Sequence, residues 1–351
     1  MLVVVDAMGT EFGGVRTYVD RLLEAWATSF PDDEVHVVVP AGSTISADLH
    51  TRHELRVRQP SQLGRPWAQT VAMHRLIADL EPDAVLAAIP STTLRRTRSP
   101  LAVVVHDLRH ELRPHQFSRA RRALRAVSYG RAYAVADGFV SVSARTQDDL
   151  HELHPATRSR PSVVVHHGAD HVLGWPAPQR TGPAIAMAHH TNKNPDLIIE
   201  AWAVLAGRGT PRPLTIVGVS GERERLQQLI DARGLTDVVR LSPFLDDDDF
   251  VRIIVDADLI VFPSDFEGFG LPVVEGMTLG KPVVIGPEKA TQEVAAGHAA
   301  VMAGWSPSDL ADAVEAAAAL DAAVIEDARQ WGATFTWHRA VTQTRNLLQS
   351  L

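Results

Sequence analysis

The chain has 351 residues, 45% of them hydrophobic and 22% charged, and no cysteine. That length suits two domains and that composition a soluble globular protein, and disulfides, thiolate metal sites, iron–sulfur clusters and a cysteine nucleophile are excluded. The net charge of −8 is unevenly spread: residues 95–131 hold ten Arg against Asp107 and Glu111, whereas residues 179–334 hold 12 basic and 23 acidic residues, so nucleic acid is not expected as a partner and a local anion-attracting surface is left open.

Met1-Leu2-Val3-Val4-Val5 runs straight into Asp6, without a basic lead or an apolar stretch of signal length. Nowhere do 18 apolar residues run on, so a cytoplasmic protein with no membrane-spanning helix is expected. Residues 2–5 read as a buried strand. Gly13-Gly14 follows, then a helix over about 15–28 with Val15, Val19, Leu22, Leu23 and Trp26 on one face. Strands are expected at 35–39, 84–88, 101–105, 138–142 and 163–165, with helices over about 67–80 and 118–135. The strands are continuous Val, Ile, Leu and Ala runs rather than alternating ones, the pattern of strands covered on both faces in a parallel sheet. A Pro/Gly-rich linker occupies 174–183, and the alternation then restarts. Strands are expected at 184–188, 214–217, 238–241, 259–262 and 282–285, and helices over 195–206, 222–233 and 271–279. A last helix over about 337–348 falls outside the second unit. The expected fold class is α/β, with doubly wound Rossmann-like domains at 1–176, completed by 337–351, and at 177–336, facing across a cleft. Ligands of such sheets bind beyond the carboxyl ends of the strands.

The sharpest motif is Pro263-Ser264-Asp265-Phe266-Glu267-Gly268-Phe269-Gly270-Leu271-Pro272-Val273-Val274-Glu275. Gly268 and Gly270 let a backbone approach a ligand closely. The helix opened by Leu271 and Pro272 points its free N–H groups and positive dipole end into the loop, an anion site of the phosphate-binding kind. Glu275 lies about one turn into that helix, where a carboxylate can accept from the vicinal hydroxyls of a ribose. The spacing alone fits an ordinary glycine-rich turn equally well.

The segment resembles the E-x7-E signature of retaining glycosyltransferases of the GT-B fold, specifically family 4 (glycosyl transferase group 1). The resemblance extends over nearly the whole chain. Gly13-Gly14-Val15 is similar to the family's first glycine loop. Val105-His106-Asp107-Leu108, Gln116-Phe117-Ser118 and Val140-Ser141-Val142-Ser143 follow its first-domain pattern in order. His166-His167-Gly168-Ala169-Asp170 resembles its N-G-V-D element. Asn192-Lys193-Asn194 with Leu197 to Trp202 resembles an R-K-N…L-I-x-A-F element of a mannosyltransferase-rich subgroup, and Phe335-Thr336-Trp337 resembles the F-S-W before a terminal helix that returns to the first domain.

The resemblance implies a metal-independent hexosyltransferase acting on a nucleotide-sugar donor, with GDP-mannose hinted by the subgroup, and on a small-molecule, glycan or lipid-linked acceptor. No cofactor is expected. It implies retention by a front-face route in which the leaving phosphate helps to deprotonate the acceptor. The expected catalytic residues are His106, Glu267 and Lys193. The donor diphosphate falls to Gly13, Gly14, Lys193, Gly270 and Leu271. The donor sugar falls to His106, Glu267, Gly268, Phe269 and Gly270, and the nucleoside to Glu275, Phe244, Leu245 and Gly218. Asp107 and Arg109 are the acceptor candidates, although Asp107 is better suited to holding its loop. The arginine that the family places near this lysine is absent: residues 187–190 and Asn192 stand there, and His189 or His190 is the nearest source of replacement charge. The Arg-rich stretch allows a phosphorylated acceptor, peripheral contact with an anionic membrane surface, or simply a solvated helix. Asp246 to Asp249 reads as the cap of a helix from about Phe250, and Asp256-Ala257-Asp258 as structural. The adjacent pairs His166-His167 and His189-His190 lack metal-ligand spacing, and no metal is expected. A related enzyme forming a C–N or C–S bond, a nucleotide-sugar-binding protein without catalysis, and a sugar-nucleotide epimerase are the other readings.

Overall fold

The computed structural model describes residues 1–11, 13–59, 61–189 and 191–351. It divides into two compact units, Met1–Gly168 with Thr336–Leu351, and Ala169–Phe335.

The first unit is built on seven parallel strands: β1 (Leu2–Asp6), β2 (Glu34–Pro40), β3 (Thr51–Leu55), β4 (Ala84–Ala87), β5 (Leu101–Val105), β6 (Gly138–Ser141) and β7 (Ser162–Val164), in the spatial order 3-2-1-4-5-6-7. β4, β5 and β6 are buried along their whole length. Their unbroken apolar runs are what a strand sandwiched between helix layers requires. Val4, Val38, Val85, Val103 and Phe139 from the sheet pack with Met73, Ile77 and Tyr133 from the helices. β3 reads Thr-Arg-His-Glu-Leu, pairs only with β2 and is half exposed. An edge strand with one partner needs no apolar run, so it carries no strand signal. Helix Ala144–Leu153 is likewise unannounced by apolar spacing; Ser143 caps it, its Oγ accepting from Thr146 N at 3.1 Å. The terminal helix Trp337–Ser350 belongs to this unit. Arg345 holds the Asp33 carboxylate at 2.7 and 2.9 Å, and the amino terminus holds it at 2.7 Å.

The second unit has six parallel strands: β8 (Ala184–Met187), β9 (Leu214–Val217), β10 (Val239–Leu241), β11 (Leu259–Phe262), β12 (Val283–Ile285) and β13 (Ala300–Val301), in the order 10-9-8-11-12-13. Its core gathers Ile216, Val261 and Val284 from the sheet with Ile198, Trp202, Leu226, Leu310 and Val314 from the helices. Helices Lys289–Ala295, Pro307–Ala318 and Ala322–Gly332 complete it.

The division between units falls at Gly168/Ala169 rather than at 176/177. The turn Asp170–Gly174 packs on helix Leu271–Thr278, and His171 Nε2 meets Glu275 Oε1 at 3.1 Å. The linker is stitched to the second unit as well. Gln179 N donates to Val255 O at 2.9 Å, and the buried Lys281 ammonium donates to the carbonyls of Gln179, Val255 and Ala257. Burial pulls that ammonium down to about 8.

The second sheet and the first six strands of the first share the relative order 3-2-1-4-5-6, the Rossmann order, and β7 extends the first sheet at its edge. The crevice at the carboxyl ends where the order reverses is the expected ligand site. It falls between β1 and β4 in the first unit and between β8 and β11 in the second.

Candidate active site

The loops after β8 and β11 flank the reversal point of the second sheet, and the side chains they supply interlock. Lys193 Nζ pairs with Glu267 Oε1 and lies 4.1 Å from the centre of the Phe262 ring. The same Glu267 oxygen accepts from Asn192 Nδ2 at 3.0 Å and from Ser264 Oγ at 2.5 Å. Asn192 Nδ2 also reaches Ser264 Oγ at 2.9 Å and Phe266 O at 2.8 Å. Asn192 and Lys193 are 2% and 5% exposed, so this polar knot sits in a low-dielectric setting where each pairing is strengthened. Asn194 follows with φ of 51° and anchors through Nδ2 to Pro263 O at 2.9 Å. Asn192 and Ser264 were not among the expected site residues. Their position inside the two quoted motifs was the available signal.

Gly270 has φ of 101° and caps helix Leu271–Thr278, which has Pro272 in its first turn and no acidic residue there. A Cβ at Gly270 would stand 3.1 Å from Thr291 Cγ2. The residue is therefore glycine both for its left-handed backbone and for space. Leu271 and Phe269 are buried, and the Phe269 ring lies 6.1 Å edge-on from Phe335. Gly268 precedes Phe269 on the same loop, directly after Glu267. Glu275 is 7% exposed. Its Oε1 is engaged by His171, a partner not foreseen from the sequence, and its Oε2 has no protein partner among the described residues.

Gly218 follows β9 with φ of 80°, and a Cβ there would come 3.1 Å from His189 Cβ. The His189 ring lies 6.0 Å from Phe244, whose side chain is 66% exposed, and Leu245 follows it. Gly218, His189 and Phe244 thus form one aromatic-walled corner at the ends of β9 and β10. His190 lies outside the described residues.

In the first unit, Gly13 and Gly14 open helix Gly13–Ser29, are exposed, and have no acidic residue in the turn they begin. His106 ends the run of β5. Its Nε2 donates to Ala88 O at 2.9 Å, which leaves Nδ1 as acceptor. Burial lowers its pKa, opposed by the bond to Ala88 and by Asp107, which favours the neutral ring. Tyr18 stands edge-on to His106 at 5.0 Å, and His167 lies 5.6 Å away. Asp107 Oδ1 accepts from Arg109 N at 2.8 Å, which holds the loop. The Arg109 guanidinium covers the Phe117 ring at 5.5 Å, shared with Arg121 and Arg125 at 5.6 and 5.2 Å.

Asp246 caps helix Asp247–Asp256, its Oδ1 accepting from Asp249 N at 2.8 Å. Asp258 is taken up by Arg180 and Arg212. Among the described residues no three His, Asp or Glu side chains are gathered as metal ligands. Nor is any described helix long and apolar enough to cross a membrane.

Two Rossmann-like units, the second with a glycine-hinged loop at the reversal point of its sheet, fit the GT-B class. Residues 12–173 match the family model described as Glycosyltransferase Family 4, and residues 185–333 the one described as Glycosyl transferases group 1. The two matches take in most of the chain, which belongs to this glycosyltransferase family. The GDP-mannose-dependent alpha-(1-6)-phosphatidylinositol dimannoside mannosyltransferase of Mycobacterium tuberculosis is 26% identical over 373 residues, covering 96% of this chain and 92% of its own. The D-inositol 3-phosphate glycosyltransferase of Mycolicibacterium smegmatis is 32% identical over 178 residues, 46% of this chain and 40% of its own. Among solved structures, Anabaena HepE in complex with UDP-glucose superposes with a TM-score of 0.75 at 18% identity, covering 100% of both chains. WaaG, a glycosyltransferase involved in lipopolysaccharide biosynthesis, gives 0.75 at 15%, again covering 100% of both. At these identities the solved structures speak for the fold.

Proposed function

We propose that this glycosyltransferase moves a sugar from a nucleotide-diphosphate donor, GDP-mannose foremost, to an acceptor hydroxyl, with retention and without a metal. The observation that carries the reading is the joining of Lys193 to Glu267 across the reversal point of the second sheet, beside an uncapped helix start at Gly270. A departing nucleoside diphosphate concentrates negative charge on its oxygens, and catalysis needs fixed donors aimed there. Lys193 and the N–H groups at Gly270 and Leu271 are those donors in the second unit, and those of Gly13 and Gly14 are offered by the first. Glu267, held by Asn192 and Ser264, is oriented to accept from sugar hydroxyls, with Gly268 and Phe269 shaping the loop. His106, a neutral acceptor at Nδ1, serves the sugar as well. Glu275 takes ribose hydroxyls at Oε2, and Gly218, Phe244 and Leu245 the base. Asp107 and Arg109 are assigned to the acceptor. Similarity along nearly the full length of a relative described as GDP-mannose-dependent supports that donor.

The test is a panel of UDP-, GDP-, ADP- and dTDP-sugars read by melting temperature. Binding adds RT ln(1 + [L]/Kd) to stability, so the true donor stands apart. Turnover of that donor with acceptor, and the anomeric configuration of the product by NMR, follow. No shift with any donor at millimolar concentration, or an inverted product, contradicts the proposal.

A further inference from the structure

The reversal point of the first sheet carries a polar centre that the function proposed above does not use. β1 and β4 end there side by side. Asp6, the last residue of β1, is fully buried. Its Oδ1 accepts from Met8 N at 3.1 Å, and Gln69 Nε2 donates to its two oxygens at 3.2 and 2.9 Å. The same nitrogen donates to Ser91 O at 2.7 Å, which ties the loop after β1 to the loop after β4. Gln69 opens a π-helical turn, Gln69–Met73, within an otherwise α-helical stretch. Such turns concentrate at functional sites.

Arg65 lies about one turn before Gln69. Its guanidinium rests on the backbone of Gly9, so that a Cβ there would overlap Nη1 and stand 2.7 Å from Cζ. Gly9 has φ of 91°. Nε is buried, and among the described residues the guanidinium makes no hydrogen bond and no ion pair. Asp6 feels its field, but the carboxylate is already spent on Met8 and Gln69. A buried guanidinium nitrogen with nothing to donate to is costly, and a ligand oxygen removes the cost. The surroundings favour an anion with several oxygens. Ser91, Thr92 and Thr93 line the loop after β4, each about 1% exposed or less.

We infer that Arg65 anchors a phosphate-ester group of the acceptor beside Gly9, at the carboxyl ends of β1 and β4. The guanidinium presents a planar fork to two phosphate oxygens. The missing Cβ of Gly9 is what lets the guanidinium lie against the backbone there. The inference takes from the proposed function only the assignment of the first unit to the acceptor.

The test titrates the full-length protein with inorganic phosphate at constant ionic strength by calorimetry, as wild type, Lys193→Ala, Arg65→Gln and Arg65→Lys. The expected result is a phosphate site that survives Lys193→Ala and weakens about tenfold or more in Arg65→Gln. Arg65→Lys, which keeps the charge and loses the fork, weakens it less. Circular dichroism melts check that each variant is folded. Competition by glycerol 3-phosphate points to a soluble phosphomonoester acceptor, and Arg65-dependent sedimentation with phosphatidylglycerol vesicles to a lipid headgroup; either supports the anchor. Equal phosphate binding in wild type and Arg65→Gln overturns it, as does a phosphate site lost only with Lys193. An acceptor KM unchanged by Arg65→Gln overturns the link to the acceptor. Failure of every nucleotide sugar to bind, with the Arg65 site intact, tells against the donor reading alone.

Discussion

Replacing Lys193 by Ala separates what the amine does for the fold from what it does for the reaction. Lys193 is 5% exposed, and its ammonium pairs with Glu267 and covers the Phe262 ring at 4.1 Å. Removing one member of a buried ion pair costs roughly 3–5 kcal/mol when the other charge is stranded. Glu267 is not stranded. Its Oε1 keeps Asn192 at 3.0 Å and Ser264 at 2.5 Å, and its side chain is 15% exposed. The expected loss of folding stability is therefore smaller, about 2 kcal/mol. The loss of a fixed donor to the leaving diphosphate is larger, about 2.7–4 kcal/mol, or about 10²–10³ in kcat. Urea unfolding measures the first and release of nucleoside diphosphate at saturating donor and acceptor measures the second. A kcat within about threefold of wild type, alongside the expected fall in stability, would reduce Lys193 to a structural cation and refute its catalytic role.

Three further outcomes follow from the geometry. Glu275→Gln keeps the shape of the side chain but removes a charged acceptor. Donor Kd should rise about tenfold or more while kcat at saturation stays within about threefold, read by titration and by initial rates. Asp6 is pushed up to about 6 from 3.8, chiefly by burial, against Thr92, Met8 N–H, Gln69 and Arg65. The folded state then holds the proton more tightly than the unfolded one, so this group subtracts stability as pH rises from about 4 to above 6. Against Asp6→Asn, wild type should lose about 3 kcal/mol over that window in urea unfolding, and a difference that stays flat with pH would contradict the burial argument. At Gly168 a Cβ would overlap Trp337 N and stand 2.6 Å from its Cγ. Gly168→Ala should destabilise the first unit by at least about 1–3 kcal/mol in thermal or urea melts, since neither the chain nor the indole can yield freely.

The strands of both sheets were legible where burial on two faces demands unbroken apolar runs, as in β5 and β11. β3 was not, because an edge strand paired only with β2 tolerates Arg52, His53 and Glu54. Helices Pro307–Ala318 and Ala322–Gly332 went unread in an alanine-rich stretch whose apolar spacing is too dense to mark one face. The boundary expected at a Pro/Gly linker moved eight residues upstream, to Gly168/Ala169. Composition marks where a chain bends, whereas His171 bonded to Glu275 decides which core a segment joins. The motif residues Lys193 and Glu267 were singled out individually. Their contact could not be, because 74 residues separate them and only the strand order 8-11 makes their loops neighbours. Asn192, standing where a cation was sought, instead spends its amide on Ser264, Phe266 and Glu267. That role belongs to packing around the site and has no signature in spacing.

The proposed function places a sugar nucleotide on the second unit, at the reversal point of its sheet. A crystal structure of the protein with the donor selected by the melting panel tests it most directly. Diphosphate oxygens should lie within hydrogen-bonding distance of Lys193 Nζ and of the N–H groups at Gly270 and Leu271, with ribose hydroxyls on Glu275 Oε2. A diphosphate bound away from Lys193, with the Lys193–Glu267 pair undisturbed and Glu275 facing only His171, would contradict it.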